Sequence, residues 1–373
     1  MKLAAASIHP YRLPLRSPWL TAGARVAERC GWLLCLQDDS GRRAYGDCAP
    51  LPGSGGESAP AAAQALRSLL PPLIGLTART AIERLEPDGD CPAPVARCAV
   101  ETALLDLLAQ DSGLPLAAYL SGNRLRRETC SAPPPPVRIN AACGIVGNLG
   151  AKDIRAACNA GFTILKMKVG VLAIDDEVAL LQQIATVLPP GCRLRLDANR
   201  AWPDAAATRF LQACANLPIE MLEEPLAAPD IDRLQALQDS TTIAIAVDES
   251  IRHLDGESLV GRRAVRRLVL KPPRHGGLLP TLALARHASN AGVESIITSS
   301  LDSACGITAA AHVAAALDNG LAHGLATSAW LQEDTGSPPR TAGGLLLLDA
   351  SPGLGFVPDR QRRFLPLDGL YCR

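Results

Sequence analysis

The chain has 373 residues, 48% of them apolar, with 37 basic and 37 acidic side chains. That length fits two domains better than one and supplies enough apolar surface for a large core. Balanced charge leaves no electrostatic footprint for nucleic acid or an anionic membrane, and no apolar run reaches the ~18 residues of a membrane span. The opening "MKLAAASIHPYRLPLRSPWL" is broken by His9, Pro10 and Arg12, so it reads as a first strand rather than a secretory signal. Twelve cysteines, scattered from Cys30 to Cys372, form no C-x-x-C pair and no Cys/His group with zinc spacing. They are read as reduced thiols packing as small hydrophobes, and the chain as cytoplasmic, with its oligomeric state left open.

Residues 1–130 read as α+β. The segment "GWLLCLQDDSGRRAYGDCAPLP" (31–52) is a strand, an Asp-Asp-Ser-Gly turn and a second strand. "SAPAAAQALRSLL" (58–70) and "APVARCAVETALLDLLAQDSG" (93–113) carry helical periodicity, with Gly113 near the stop. The four prolines of "SAPPPP" (131–136) continue neither a helix nor a central strand and are taken as a linker. Short apolar runs then recur: "VRINAAC" (137–143), "TILKMKV" (163–169), "RLRLDA" (193–198), "IEMLEE" (219–224), "IAIAVDE" (243–249), "RRLVLK" (266–271), "ESIITSS" (294–300) and "AHGLAT" (322–327). Helical segments lie between them. Eight strands alternating with helices predict a (β/α) barrel over 137–330; no Gly-rich phosphate loop supports an open doubly wound sheet. The tail, 335–373, is expected to complete the N-terminal domain.

Five successive strands end in an ionisable group: Lys168, Asp197, Glu223, Asp248 and Lys271, spaced 23 to 29 residues apart. Barrels of this kind carry their active sites at these strand ends. Any one such acid alone is an ordinary first-turn helix residue; the regular set is not. Three carboxylates converging in a low-dielectric mouth repel one another, so a cation is implied, and an all-oxygen donor set favours Mg2+ or Mn2+. Only five of the 37 basic residues are lysine, and two of them, Lys166 and Lys168, share a face of one strand. Lysine acts as a base where arginine does not, and a second cation one strand step away disfavours protonation, a service Lys166 is placed to give Lys168.

The motifs "KMKVG", "RLDANRAW", "MLEEP", "VDES" and "VLKP", in that order, resemble those of the enolase superfamily, in its muconate-lactonizing-enzyme-like group. The resemblance covers essentially the whole chain. It implies a (β/α)7β barrel with an N-terminal α+β capping domain. It also implies Mg2+ stabilising an ene-diolate formed from a small carboxylate substrate. Residue by residue, it implies Asp197, Glu223 and Asp248 as metal ligands. Glu224 and Glu249 lie behind them, and Asn199 orients a metal ligand or a metal-bound water. Lys168 matches the acid/base residue and Lys271 the lysine across the site.

Within the group, "IITSSLDSACGITAAAHVAAAL" (296–317), "AHGLATSAWL" (322–331) and "GDCAPLPG" (46–53) resemble the o-succinylbenzoate synthases, with Asp47 where those carry Glu. The Asp-x-Asp element that dipeptide epimerases use to hold an ammonium is missing. The resemblance implies a hydro-lyase of menaquinone or phylloquinone biosynthesis, with Thr298, Ser299 and Gly324 on the succinyl carboxylate and Arg195 assisting. Loops at Ser17–Thr21 and Leu51–Gly53 are expected to close over the mouth, which Ala142 also lines or merely packs. An N-acylamino-acid racemase or dipeptide epimerase is the nearest alternative, and a non-catalytic barrel used as a binding protein the second.

Overall fold

The computed structural model describes residues 1–20, 25–51, 56–85, 91–122 and 133–367. At the N-terminus, β1 (Leu3–Leu20), β2 (Arg25–Asp38) and β3 (Arg43–Cys48) form an antiparallel sheet in that order. The expected turn between β2 and β3 is tied by Asp38, whose Oδ1 accepts from Ser40 N (2.9 Å), Ser40 Oγ (2.7 Å) and Arg42 N (2.8 Å), with Gly41 at φ +85°. Helices α1 (Ala59–Leu69), α2 (Ala78–Leu85), α3 (Pro94–Asp111) and α4 (Leu116–Leu120) follow. The long α3 is buried on nearly every side because it lies between the sheet and the barrel. Gly46 permits that approach: a Cβ there would sit 1.9 Å from the Ala99 carbonyl oxygen.

The chain then builds β4 (Val137–Arg138), β5 (Ala141–Ile145), β6 (Ile164–Lys168), β7 (Arg193–Asp197), β8 (Ile219–Glu223), β9 (Ala244–Val247), β10 (Arg267–Leu270) and β11 (Glu294–Ile297). Strands β5 to β11 form one parallel sheet in chain order. Between them run α5 (Ala151–Asn159), α6 (Ile174–Val187), α7 (Asp204–Ala213), α8 (Ile231–Asp239), α9 (Gly256–Gly261) and α10 (Leu278–Asn290), and α11 (Ala304–Leu317) follows β11. This is the (β/α) barrel architecture with an N-terminal antiparallel domain.

Two expectations need correction in detail. The run 137–143 is split: β4 leaves the parallel sheet to pair with a C-terminal hairpin, and only β5 enters it. The eighth strand expected over 322–327 is not formed. His323 and Gly324 make single parallel bridges, to Ile139 on one side and Thr298 on the other, and a 3-10 turn starts at Ala326. His323 N donates to Arg138 O (2.7 Å) and Gly324 N to Ile297 O (2.9 Å), so this short segment closes the circle with two residues instead of a ladder.

Inside the barrel, Met221, Ala246, Val269 and Ile296 form a separate apolar plug. Each lies two residues before Glu223, Asp248, Lys271 or Thr298, so alternation along the strands turns those groups inward one layer above the plug. The tail divides its contacts. Strands β12 (Arg340–Ala342) and β13 (Leu345–Leu347) form a hairpin that pairs with β4. Leu365 exchanges backbone hydrogen bonds with Ile8 (2.8 and 2.6 Å). Among the described residues no helix is long and apolar enough to cross a membrane.

The N-terminal domain grips the barrel with buried ionic side chains. Arg97 on α3 donates to Gly276 O and pairs with Glu101 (3.2 Å), whose other oxygen accepts from the N–H groups of Leu278 and Leu279 at the start of α10. At a second junction, His312 Nδ1 accepts from Ala117 N (3.0 Å), which leaves Nε2–H to donate to Leu354 O (3.0 Å). Burial pushes this imidazole down to about 4, outweighing the pull of the Leu354 carbonyl. Since its folded pKa lies below the unfolded ~6.5, the unfolded state takes up the proton first. Stability contributed by neutral His312 is complete above ~6.5 and is lost as pH falls toward 4. Replacing His312 with Gln is expected to flatten the pH dependence of urea-unfolding stability in that window, by on the order of 3 kcal/mol relative to wild type.

Candidate active site

Lys168, Asp197 and Glu223 are the last residues of β6, β7 and β8, and they pair laterally in register. Asp248 and Lys271 come one residue after β9 and β10. All five open onto one cavity of about 190 Å³ at the C-terminal rim, together with Lys166 one inward step below Lys168. Asn199, Glu249, Thr298, Ser299 and Gly324 line it as well.

Arg195 stands elsewhere than expected, and of the two acids expected behind the ligands Glu224 is found there while Glu249 lines the cavity itself. Arg195 shares the Asp197 face but is 1% exposed and does not reach the cavity. Its guanidinium binds Glu220 (2.5 Å), Asn140 Oδ1 (3.3 Å) and the Ala322 carbonyl (2.5 Å), which makes it a tie between β7 and the closing segment. Glu224 lies behind the cavity wall, accepting from Asp248 N (2.7 Å), Ser250 N (2.9 Å) and Ser250 Oγ (2.5 Å). Thr21, Pro52 and Gly53 fall outside the described residues.

The acids are buried and each is matched by cations. Lys166 Nζ donates to Glu223 Oε2 (2.6 Å) and stands 3.3 Å from Asp197 Oδ2. Lys168 Nζ donates to Asn199 Oδ1 and lies 3.6 Å from the same Asp197 oxygen. Lys271 Nζ bonds Asp248 Oδ2, and Arg274 Nη1 is 2.8 Å from Asp248 Oδ1. Burial would raise Asp248, but Lys271 and Arg274 overcome it and hold the carboxyl far below its usual range. Asp197 is likewise lowered, burial being outweighed by Lys166 and Lys168. Burial pushes Glu223 up to about 7 against the pull of Lys166, with Asp197 and Asp248 adding to the rise. Lys166 is raised: burial opposes its charge, and Glu223 and Asp197 more than restore it. Lys271 is lowered by burial and by Arg274, which together outweigh Asp248.

The backbone around the rim is strained. Asn199 (φ 44°), Arg200 (φ 63°), Glu224 (φ 47°) and Leu301 (φ 58°) are non-glycine residues in the left-handed region. Each costs on the order of 1–3 kcal/mol and persists where the surroundings over-determine it, a pattern that gathers at functional sites. Among the described residues no three His, Cys, Asp or Glu side chains stand together in ligating geometry. The donor set still fits a hard divalent cation: three carboxylates from adjacent strands, oxygen only, whose mutual repulsion is visible in the raised Glu223. Lys166 and Lys271 now supply the positive charge that such an ion would bring.

Trp19 falls in the Ser17–Thr21 segment expected over the mouth, although Ser17–Leu20 is the end of β1 rather than a loop; other lining residues carried no clear signal in the sequence. Trp19 sits with its ring centroid 6.0 Å from Lys168 Nζ and is braced edge-on by Trp330 at 4.8 Å. Ser299 Oγ and Thr327 Oγ1 share a hydrogen bond of 2.6 Å. Arg274 was visible only as an arginine three residues past Lys271 in a chain rich in arginine. Ala142 does line the cavity.

A parallel barrel with carboxylates and lysines on successive strand ends defines an enolase-type site. The family model described as Enolase C-terminal domain-like matches residues 151–362, and one described as MenC, N-terminal domain, matches residues 3–81. The chain belongs to the enolase superfamily. It is 28% identical over 367 residues to L-Ala-D/L-Glu epimerase of Bacillus subtilis, covering 96% of this chain and 97% of that one. It is 25% identical over 320 residues to N-succinyl-L-Arg/Lys racemase of Bacillus cereus, covering 84% of each. It is 33% identical over 249 residues to o-succinylbenzoate synthase of Thermosynechococcus vestitus, covering 65% of this chain and 67% of that one. Among solved structures, a substrate-liganded complex of the Bacillus subtilis epimerase superposes with a TM-score of 0.84 at 26% identity, over 96% of this chain and 99% of that one. The Enterococcus faecalis V583 dipeptide epimerase complexed with Mg and L-Leu-L-Tyr gives 0.82 at 25% identity, over 95% and 99%.

Glu224 is the hinge-pin of the Asp248–Ser250 turn, and it accepts three donors from there. Glu224→Ala is expected to cost on the order of 2–5 kcal/mol in urea unfolding, because buried N–H groups lose their acceptor. Glu224→Gln keeps one acceptor and should cost less than half as much.

Proposed function

We propose that the chain is an o-succinylbenzoate synthase, a hydro-lyase that converts 2-succinyl-6-hydroxy-2,4-cyclohexadiene-1-carboxylate to 2-succinylbenzoate in menaquinone or phylloquinone biosynthesis. The observation that carries this reading is the division of charge in the cavity. Among the described lining residues, the acids are Asp197, Glu223, Asp248 and Glu249, all on the β7–β9 side. The facing wall, from Thr298 to Ser300 and from Gly324 to Thr327, offers hydroxyl and main-chain groups without a carboxylate. A dipeptide's ammonium would be desolvated there with no counter-charge, whereas an acyl tail ending in carboxylate finds donors. The N-terminal match to the MenC domain supports the same choice.

Asp197, Glu223 and Asp248 would hold Mg2+, which stabilises the negative charge that develops on a substrate carboxylate when its alpha proton leaves. Lys168 Nζ takes the proton from ring carbon 1. It returns one proton to the hydroxyl departing from carbon 6 on the same face. One proton and one hydroxide leave as water, and the ring becomes aromatic. Asn199, which accepts a hydrogen bond from Lys168, fixes where that amine points. Lys271 stays protonated across the cavity and stabilises the same developing charge. Lys166 balances Glu223 and Asp197, and Glu224 orients the Asp248 turn from behind. Trp19 covers Lys168 and keeps water from competing for its proton.

A second reading has one observation in its favour. Lys168 and Lys271 come from strands four apart in the sheet order and both reach the cavity, so both faces of an alpha carbon meet a lysine. That arrangement suits an N-acylamino-acid racemase.

With Mg2+, the purified protein is expected to form the aromatic product, followed by ultraviolet absorbance. Lys168→Ala should lower kcat roughly 10³-fold, the usual size of an acid/base contribution. Absence of dehydration, with deuterium exchanging into N-succinylamino acids instead, would favour the racemase. Absence of both would leave a binding protein. Thermal unfolding gives a further check: Mg2+ at about a hundred times its Kd should stabilise by about 2.7 kcal/mol. Asp248→Asn should remove most of that shift.

A further inference from the structure

Arg29 lies in the middle of β2, is 1% exposed, and forms none of the ion pairs found among the described residues. Each of its three guanidinium nitrogens donates to a main-chain carbonyl. Nε donates to Leu301 O (3.1 Å), Nη1 to Pro50 O (3.0 Å) and Nη2 to Ala49 O (2.5 Å). Two of those carbonyls immediately precede Leu51, which lines the cavity from the N-terminal domain. The third belongs to Leu301, which lines it from the β11–α11 loop. One planar fork thus spans both walls, across 272 residues of sequence. A lysine has no comparable geometry; its single nitrogen cannot meet three carbonyls in one plane.

The surroundings reinforce the clamp. Leu301 is a branched residue held at φ 58°, a conformation that needs outside support. Asp47 on β3 accepts from Tyr11 Oη (2.5 Å) and from Ser303 N (3.0 Å), two residues beyond Leu301. Asp302 accepts from Ser300 N (3.2 Å). Asp47 and Asp302 supply negative charge near Arg29 without an ion-pair contact. None of these groups touches the lysines or the three acids of the rim.

We propose that Arg29 is a positioning residue that sets the spacing between Leu51 and Leu301, and so selects the tail of the substrate remote from the lysines. The proposal rests on the synthase reading only for the identity of that tail, a succinyl chain. Arg29 does not contact substrate; it acts through the two leucines. The walls it ties form the seam between two domains, where small changes in docking alter the width of the cavity.

The test compares wild type, Arg29→Met and Arg29→Lys in the full chain. Hydrogen exchange is followed by mass spectrometry in peptides spanning 49–51 and 299–303. Kd values for 2-succinylbenzoate and for benzoate are measured by calorimetry with Mg2+. The expected result is exchange about tenfold faster in those two segments and unchanged on β6–β8, since only local opening is altered. The Kd for 2-succinylbenzoate should rise about tenfold in Arg29→Met while that for benzoate stays within about twofold, because benzoate has no tail to be selected. Arg29→Lys, which keeps at most one carbonyl, should fall between. Unchanged exchange in both segments, or equal weakening of the two ligands, overturns the proposal. If wild type binds neither ligand, the synthase reading fails and the exchange result alone decides the role of Arg29. If Arg29→Met does not fold, Arg29→Lys carries the same comparison.

Discussion

Three carboxylates on adjacent strand ends, Asp197, Glu223 and Asp248, are buried within one cavity, and the rest of the site is arranged to make that tolerable. Like charges at such separation, taken out of water, would protonate or push the strands apart unless matched. Positive charge comes from both flanks: Lys166 and Lys168 from β6, Lys271 and Arg274 from the end of β10. The resulting alternation of cation, acid, acid, acid, cation follows the sheet order directly. The lateral registers Lys168–Asp197 and Asp197–Glu223 are therefore electrostatic as well as structural. The same balance would suit a catalyst: Asp197, Glu223 and Asp248 would hold a divalent ion, whose charge would replace that of the lysines and leave an amine available for proton transfer.

The other half of the cavity is built differently. Beyond β10 the lining turns from charged to hydroxylic and apolar, and it is shaped from outside the barrel. Glu101 and Arg97 on α3 hold the start of α10, and Arg29 and Asp47 on the N-terminal sheet hold the loop before α11. On the proposed reading, chemistry belongs to the barrel strands and substrate shape to the seam between domains. Such a division lets related proteins share one lysine–carboxylate frame while acting on different acids, consistent with epimerase, racemase and synthase relatives of similar identity.

Much of the frame was legible in the sequence because its signals are local and periodic. Strand spacing of 23 to 29 residues, inward parity at Lys166 and Lys168, and the scarcity of lysine all survive without coordinates. The Asp38–Gly41 turn and the stop at Gly113 were legible for the same reason. What stayed hidden is long-range. Parity put Arg195 on the Asp197 face, but only the fold shows its guanidinium drawn to Glu220 and Asn140 instead of the cavity. The run at 322–327 was over-read as a strand, because only the fold shows that His323 and Gly324 each make a single bridge there. Trp19 was placed near the mouth only as part of the Ser17–Thr21 segment, and Arg29 looked like one more arginine among 32. Their partners lie at Trp330 and Leu301, at the far end of the chain.

A crystal structure grown with Mg2+ and 2-succinylbenzoate tests the central electrostatic claim most directly. The expected result is metal density among the carboxylates of Asp197, Glu223 and Asp248. Lys166 and Lys271 should have given up their contacts to Glu223 and Asp248, and Lys168 should face the ring. Metal bound elsewhere, or the lysine–carboxylate pairs intact beside bound product, would contradict it.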